Sequence, residues 1–325
     1  MYVPSTSNNF KMHYQMSKPL TDGTEDCGCS DCPPGHCRTK FLQSPIMGTY
    51  QPTFIIHDMG YVEDTYVRDN GEELPVRIYA PFDKLSQTQH GLTVQMAVIG
   101  HYEKLYGIPY ALPKLDCIAI PDFVTGAMEQ WGLITYRETS LLFDSADGST
   151  ASKQSKASTI AHEMVHQWFG NLVTPEWWNN IWINEGPASF WSDDAIEAAF
   201  PEDDWQMSKQ QVYDSIIYSL NKDITAAGRA IVSPVSNPDE ITASFDWVIY
   251  DKAASIIYMM REALGHDNFN SAITNFLQVH EYSLGLKITR TCLSRLHTIS
   301  REAEILRARS KYFKIVTFST LVQQY

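Results

Sequence analysis

Basic residues are scarce in this chain: 25 lysines and arginines stand against 38 aspartates and glutamates, a formal net charge of −13 over 325 residues. A nucleic-acid partner needs a basic face, so none is expected, whereas an acidic cleft for a cationic ligand stays open. Long apolar runs are missing too, and nothing reaches the roughly 18 residues of a membrane span. The opening MYVPSTSNNFKMHYQM has no apolar stretch to serve as a signal peptide. The expectation is a chain with neither membrane segment nor export signal, its compartment unknown. Internal repeats and long low-complexity segments are also absent. Cysteine is rare outside one short segment, CGCSDCPPGHC, which holds Cys27, Cys29, Cys32 and Cys37; only Cys117 and Cys292 lie elsewhere. That spacing fits a zinc site. The segment lacks the hairpin or helix that normally presents structural ligands, however, and local disulfides in an oxidising compartment or free thiols fit it as well.

The hydrophobic content, 44%, is enough for one large core or two modest ones. Residues 39–80 are rich in β-branched and aromatic side chains broken by Gly, Pro and Asn-Gly, a strand-and-turn pattern. From about Gln87 the period changes: Leu92, Met96, Ile99, Tyr102 and Tyr106 recur at helical spacing and predict an amphipathic helix ending at Gly107 and Pro109. KLDCIAIP and WGLITYRET read as strands. Beyond Ser152 the pattern is mainly helical, with helices expected near 155–169, 185–199, 204–220, 252–264 and 267–280. A sheet followed by helices is an α+β arrangement.

The stretch STIAHEMVHQWFGNLVTPEWWNNIWINEG, residues 158–186, carries the chemistry. His162 and His166 are four apart on a predicted helix, so both imidazoles project from one face toward a single ion, with Glu163 beside it. Glu185, nineteen residues beyond His166, supplies a third ligand at the start of the next helix. Two histidines and a glutamate with an open fourth position form an established zinc set for hydrolysis. Pro187 falls in the first turn of that helix, where a missing N–H has no cost. Glu163 is the group placed to take a proton from water and pass it to a leaving amine. The aromatic residues Trp168, Phe169, Trp177, Trp178 and Trp182 could bind a carbohydrate or peptide, but packing around the metal helices is the preferred reading.

Together GAMEQWGLITYRET, HEMVHQWFGNLVTPEWWNNIWINEG and YDKAASIIYMMREALG resemble the aminopeptidase N family of zinc exopeptidases in order and in spacing, from about residue 40 to about 282. The resemblance implies a thermolysin-like catalytic domain over 63–282 preceded by the remnant of a β-sheet domain over 1–62; the divergent tail over 283–325 departs from the family and is expected to be helical. It implies one Zn2+ on His162, His166 and Glu185, and peptide substrates with free N-termini held by Gly126, Ala127, Met128, Glu129 and Gln130. Glu129 would pair with the substrate's α-ammonium, and Tyr250 would donate to the oxyanion. Relatives include membrane-anchored and soluble forms. Departures are Gln130 for asparagine, Pro187 for phenylalanine and Ala253 for glycine. Most of the β-domain, which would contribute a glutamine to the site, and the whole C-terminal helical domain are expected to be missing. Two functions are therefore expected: an aminopeptidase impaired by these losses, or a non-catalytic zinc-binding remnant acting as a binding or decoy module.

Overall fold

A computed structural model describes residues 43–286, together with Ser30 and the backbone of four short N-terminal strands. Those strands are β1 (Tyr2–Pro4), β2 (Lys11–Gln15), β3 (Thr24–Asp26) and β4 (His36–Lys40). They are followed by β5 (Thr53–His57), and the pairing is antiparallel throughout: β4 lies between β1 and β3, and β2 pairs with β5. The side chains of Cys27, Cys29, Cys32, Cys37 and Cys292 lie outside the described residues, as does everything from 287 to 325.

Five strands form the sheet that positions the site: β6 (Gly60–Val67), β7 (Glu73–Ala80), β8 (Leu115–Ile120), β9 (Ala127–Met128) and β10 (Leu133–Arg137). Their order is β6-β7-β8-β10-β9, parallel from β7 through β8 to β10 and antiparallel at both edges. Alternation on β7 buries Leu74, Val76 and Ile78, whereas β8 is apolar and buried nearly throughout, as a central parallel strand must be. Edge strand β9 is part of the GAMEQ motif. The sheet with its helices makes the fold α+β.

The helices are α1 (Gln89–Tyr106), α2 (Glu138–Leu141), α3 (Thr150–Val165), α4 (Trp182–Ala199), α5 (Met207–Gln211), α6 (Tyr218–Asp223), α7 (Pro238–Ser244), α8 (Ala253–Leu264) and α9 (His266–His280). α1 buries the predicted Leu92, Ile99, Tyr102 and Tyr106 and stops at Gly107, whose φ of 64° lets its N–H reach back to Glu103. The core then closes on aromatic rings: Tyr102 and Tyr106 stack 5.6 Å apart, and Trp168 and Trp191 meet Tyr106 edge-on or tilted.

Several elements depart from the sequence expectation. The strand in WGLITYRET ends at Arg137, because the next residues wind into α2. α3 starts earlier than 155, where the Ser149 hydroxyl accepts from Ser152 N at 3.1 Å and caps it. The 204–220 helix is interrupted by a π-helical turn at Val212–Ile217, and a second such turn, Val248–Lys252, precedes α8. α4 begins at Trp182, so Pro187 lies inside the helix, beyond its first turn. Of the aromatic group, Trp168 and Phe169 are core residues, while Trp177 is exposed and donates from Nε1 to Val235 O at 2.8 Å. Among the described residues no helix is long and apolar enough to cross a membrane.

Candidate active site

α3 ends in the histidine pair. His162 is on its last turn and His166 caps it, with the two rings 4.7 Å apart. α4, packed against α3, brings Glu185 to both from its own first turn. His162 Nε2 lies 3.1 Å from His166 Nε2, and each lies 3.3 Å from Glu185 Oε2. Tetrahedral zinc with donors at about 2.0–2.2 Å separates them by about 3.3–3.6 Å, so the triangle fits that ion with a few tenths of an ångström of outward relaxation. His166 and Glu185 are enclosed, whereas the His162 side chain keeps 19% of its surface exposed and marks the open side.

A ring of side chains fixes these donors. His166 Nδ1 is 3.0 Å from Phe169 O and 3.2 Å from Asn184 Oδ1, so Nδ1–H donates there and Nε2 is the nitrogen that a metal would take, displacing its proton. Asn184 Nδ2 in turn donates to Glu129 Oε1 at 3.2 Å. The Glu129 carbonyl accepts from Gln167 Nε2 at 3.2 Å and Asn171 Nδ2 at 2.9 Å, tying the end of β9 to the metal helix. Gly170 makes room for this network: at φ 121°, a Cβ there would stand 1.9 Å from Asn184 Oδ1. Tyr50 donates to Gly170 O at 3.1 Å, with Gln51 Nε2 on the same oxygen at 3.0 Å.

Charge in the cluster calls for a cation. Glu129, Glu163 and Glu185 are all buried, and among the described residues neither lysine nor arginine forms an ion pair with them. Burial drives the Glu163 carboxyl well above its usual range, and Glu163 Oε2 has no hydrogen-bond partner. Burial would also raise Glu185, but His166 and His162 outweigh it and hold that carboxyl low. His162 is lowered by burial; His166 is raised, because Glu129, Glu185 and Glu163 outweigh the desolvation that would lower it. Two metal-competent groups share this space: His162, His166 and Glu185, and Glu129, Glu163 and His166. Only the first has both imidazoles.

Tyr250 sits in the π-helical turn Val248–Lys252 with its ring 6.0 Å from that of His162. Burial first, then Glu185, Glu163 and Glu129, raises its phenol and keeps it a proton donor. Packing brings it this close because Gly186, next to Glu185, has no Cβ: one built there would lie 2.6 Å from Ala253 Cβ. Gly126 is exposed and continues into β9, which carries Ala127 and Met128 and, among the described residues, forms an edge of the sheet. Gln130 Oε1 accepts from Thr135 Oγ1 at 2.8 Å, which holds the amide against β10. The structure thus brings together Glu129, His162, Glu163, His166, Glu185 and Tyr250. Asn184, Asn171, Gln167, Gly170 and Tyr50 belong to the site without having been singled out in the sequence. Only Asn184, beside Glu185, and the amides Gln167 and Asn171, which flank an aromatic pair and Gly170 just after His166, gave a local signal.

A peptidase family M1 domain model matches residues 90–295. Glutamyl aminopeptidase of Bos taurus is 41% identical over 245 residues, 75% of this chain and 25% of that protein. Aminopeptidase M1-B of Oryza sativa subsp. japonica is 41% identical over 244 residues, 75% of this chain and 27% of that protein. The human glutamyl aminopeptidase is 38% identical over the same 75% of this chain. The chain thus spans about a quarter of the length of these curated relatives. M1 peptidases are in general zinc-dependent, in keeping with the donor triangle. With a family model matched over more than half its length and the motif geometry assembled in one cluster, the chain belongs to peptidase family M1.

Proposed function

We propose that this chain is a zinc-dependent aminopeptidase that hydrolyses the N-terminal residue from peptides, with the five-stranded sheet from β6 onward and helices α1 to α9 as the catalytic unit; the expected boundary at residue 62 moves to before Gly60, because β6 pairs with β7 along its whole length. The single observation that carries the reading is the near-equilateral donor triangle of His162, His166 and Glu185 beside the unpartnered carboxylate oxygen of buried Glu163. One Zn2+ held there would acidify a water molecule and polarise the scissile carbonyl.

The chain's own groups do the rest. Glu163, buried beside the donor triangle with a carboxylate oxygen unpartnered, accepts the proton of the attacking water and delivers it to the leaving amine. Tyr250 donates a phenolic O–H hydrogen bond to the carbonyl oxygen as water adds to the carbonyl carbon, a contact made as charge develops there. Glu129, fixed by Asn184, presents a carboxylate to the substrate's free α-ammonium. An internal peptide offers only a neutral amide at that point and leaves the carboxylate desolvated without a partner, which disfavours endopeptidase action. Edge strand β9 gives the substrate backbone hydrogen-bonding groups to pair with.

A non-catalytic zinc-binding module is the second reading, supported by Gln130, whose amide oxygen is taken up by Thr135. Turnover of an aminoacyl p-nitroanilide by the purified, zinc-loaded chain separates the two. Hydrolysis that disappears on chelation and returns with zinc is expected. Bound zinc without turnover would contradict the enzymatic reading.

A further inference from the structure

The catalytic reading leaves unexplained how Tyr250 keeps its place on a turn that is not α-helical. Its turn is tied at the upstream end to Asp246: Oδ1 accepts from Val248 N at 2.9 Å, and the carbonyl accepts from Ile249 N at 3.1 Å and Tyr250 N at 3.4 Å. Asp246 can direct the turn only if its own orientation is fixed, and Arg229 fixes it. The guanidinium meets the carboxylate side-on, Nη2 to Oδ1 at 2.7 Å and Nε to Oδ2 at 3.3 Å, while Nη2 also donates to Ser244 O at 3.1 Å. A planar fork that engages both carboxylate oxygens sets an angle as well as a distance, which a single ammonium does not.

The downstream end returns to the same residue. Lys252, two residues after Tyr250 and buried, donates from Nζ to Arg229 O at 2.9 Å and pairs with Asp223 at 2.7 Å. Arg229 therefore holds both ends of the turn, Asp246 through its side chain and Lys252 through its carbonyl. Resting on the proposed role of Tyr250, we infer that Arg229 is a positioning residue for catalysis: by clamping Asp246 it holds the Tyr250 ring beside His162.

The pair is open enough for its loss to be tolerated by the fold, with the Arg229 and Asp246 side chains retaining 29% and 35% of their surface. The test is a double-mutant cycle on kcat, with KM and zinc content measured alongside. Arg229→Met keeps the aliphatic stem and is expected to lower kcat on the order of tenfold with KM changed less than about twofold, whereas Tyr250→Phe loses roughly a hundredfold. Arg229→Met in the Tyr250→Phe background should cost less than about a further twofold, because the group it positions is already gone. Arg229→Lys should recover part of kcat. Losses that multiply in the double mutant, or a change confined to KM, would overturn the inference. A crystal structure of Arg229→Met decides it independently of turnover: the Tyr250 ring is expected to leave its 6.0 Å approach to His162, and an unmoved ring would overturn the clamp. Unchanged kcat in Tyr250→Phe would instead overturn the catalytic reading on which the inference stands.

Discussion

Glu163 and Asn184 show how differently two buried polar groups serve one cluster. Glu163 has an oxygen with no partner, an arrangement that costs stability unless a ligand or a reacting water uses it. Replacing it with Gln preserves the shape but not the basicity. Glu163→Gln is therefore expected to bind zinc as the parent does and to lose about 10²–10⁴ in kcat. Atomic absorption and an aminopeptidase assay on the same sample check this, and near-parental turnover would end the general-base assignment. Asn184 has the opposite role, since it orients His166 and Glu129 together. Asn184→Ala should weaken zinc binding by about 10–100-fold, as loss of a partner to a ligating histidine commonly does. Competition with a chromogenic chelator measures it; unchanged affinity would mean that Phe169 O alone orients the ring.

At the scale of elements, α3 and α4 form the frame, and their contact carries a pH dependence. Ser158 Oγ on α3 donates to Asp193 Oδ1 on α4 at 2.9 Å. Burial, reinforced by Asp214, Asp194 and Glu197 against the Ser158 hydrogen bond, pushes the Asp193 carboxyl up to about 6. A carboxyl that holds its proton more tightly folded than unfolded stabilises the fold at low pH. That contribution is lost as pH rises from about 4 to about 6 and stays lost above. Asp193→Asn retains an acceptor for Ser158 and removes the titration. It should stabilise the protein by about 1–2 kcal/mol at pH 7 and by little below pH 4. Denaturant unfolding at both pH values checks the sign; equal effects would show that desolvation of Asp193 is not the cause.

Elements whose stability is local were legible in the sequence, and elements fixed by tertiary contact were not. Leu92, Ile99, Tyr102 and Tyr106 gave α1 its period, and Gly107 its end. His162, Glu163 and His166 were readable because one helical turn sets their relation. The π-helical turn at Val248–Lys252 was not, since its wider bonding follows from what Asp246, Arg229 and Lys252 grip rather than from residue preference. Pro187 placed the start of α4 too late, because the helix tolerates it past the first turn. Gly170 and Tyr50 carried no pattern at all: what matters in them is the space and the oxygen they offer to residues far along the chain.

For the whole molecule, a net charge of −13 and three buried glutamates at one site favour cationic groups, and the α-ammonium of a peptide is the cation that the proposed reaction presents. Glu129 is where the fold spends that preference, held by Asn184 beside the donor triangle rather than paired with a lysine or arginine among the described residues. The most direct test compares kcat/KM for one dipeptide amide with its N-terminus free and with the same N-terminus acetylated, using the zinc-loaded chain. The scissile bond is unchanged between the two, so any difference reports the ammonium. Faster cleavage of the free substrate, by about tenfold or more and reduced by Glu129→Gln, is the predicted result. Equal cleavage of both, or cleavage of neither by a chain that holds its zinc, would contradict the account.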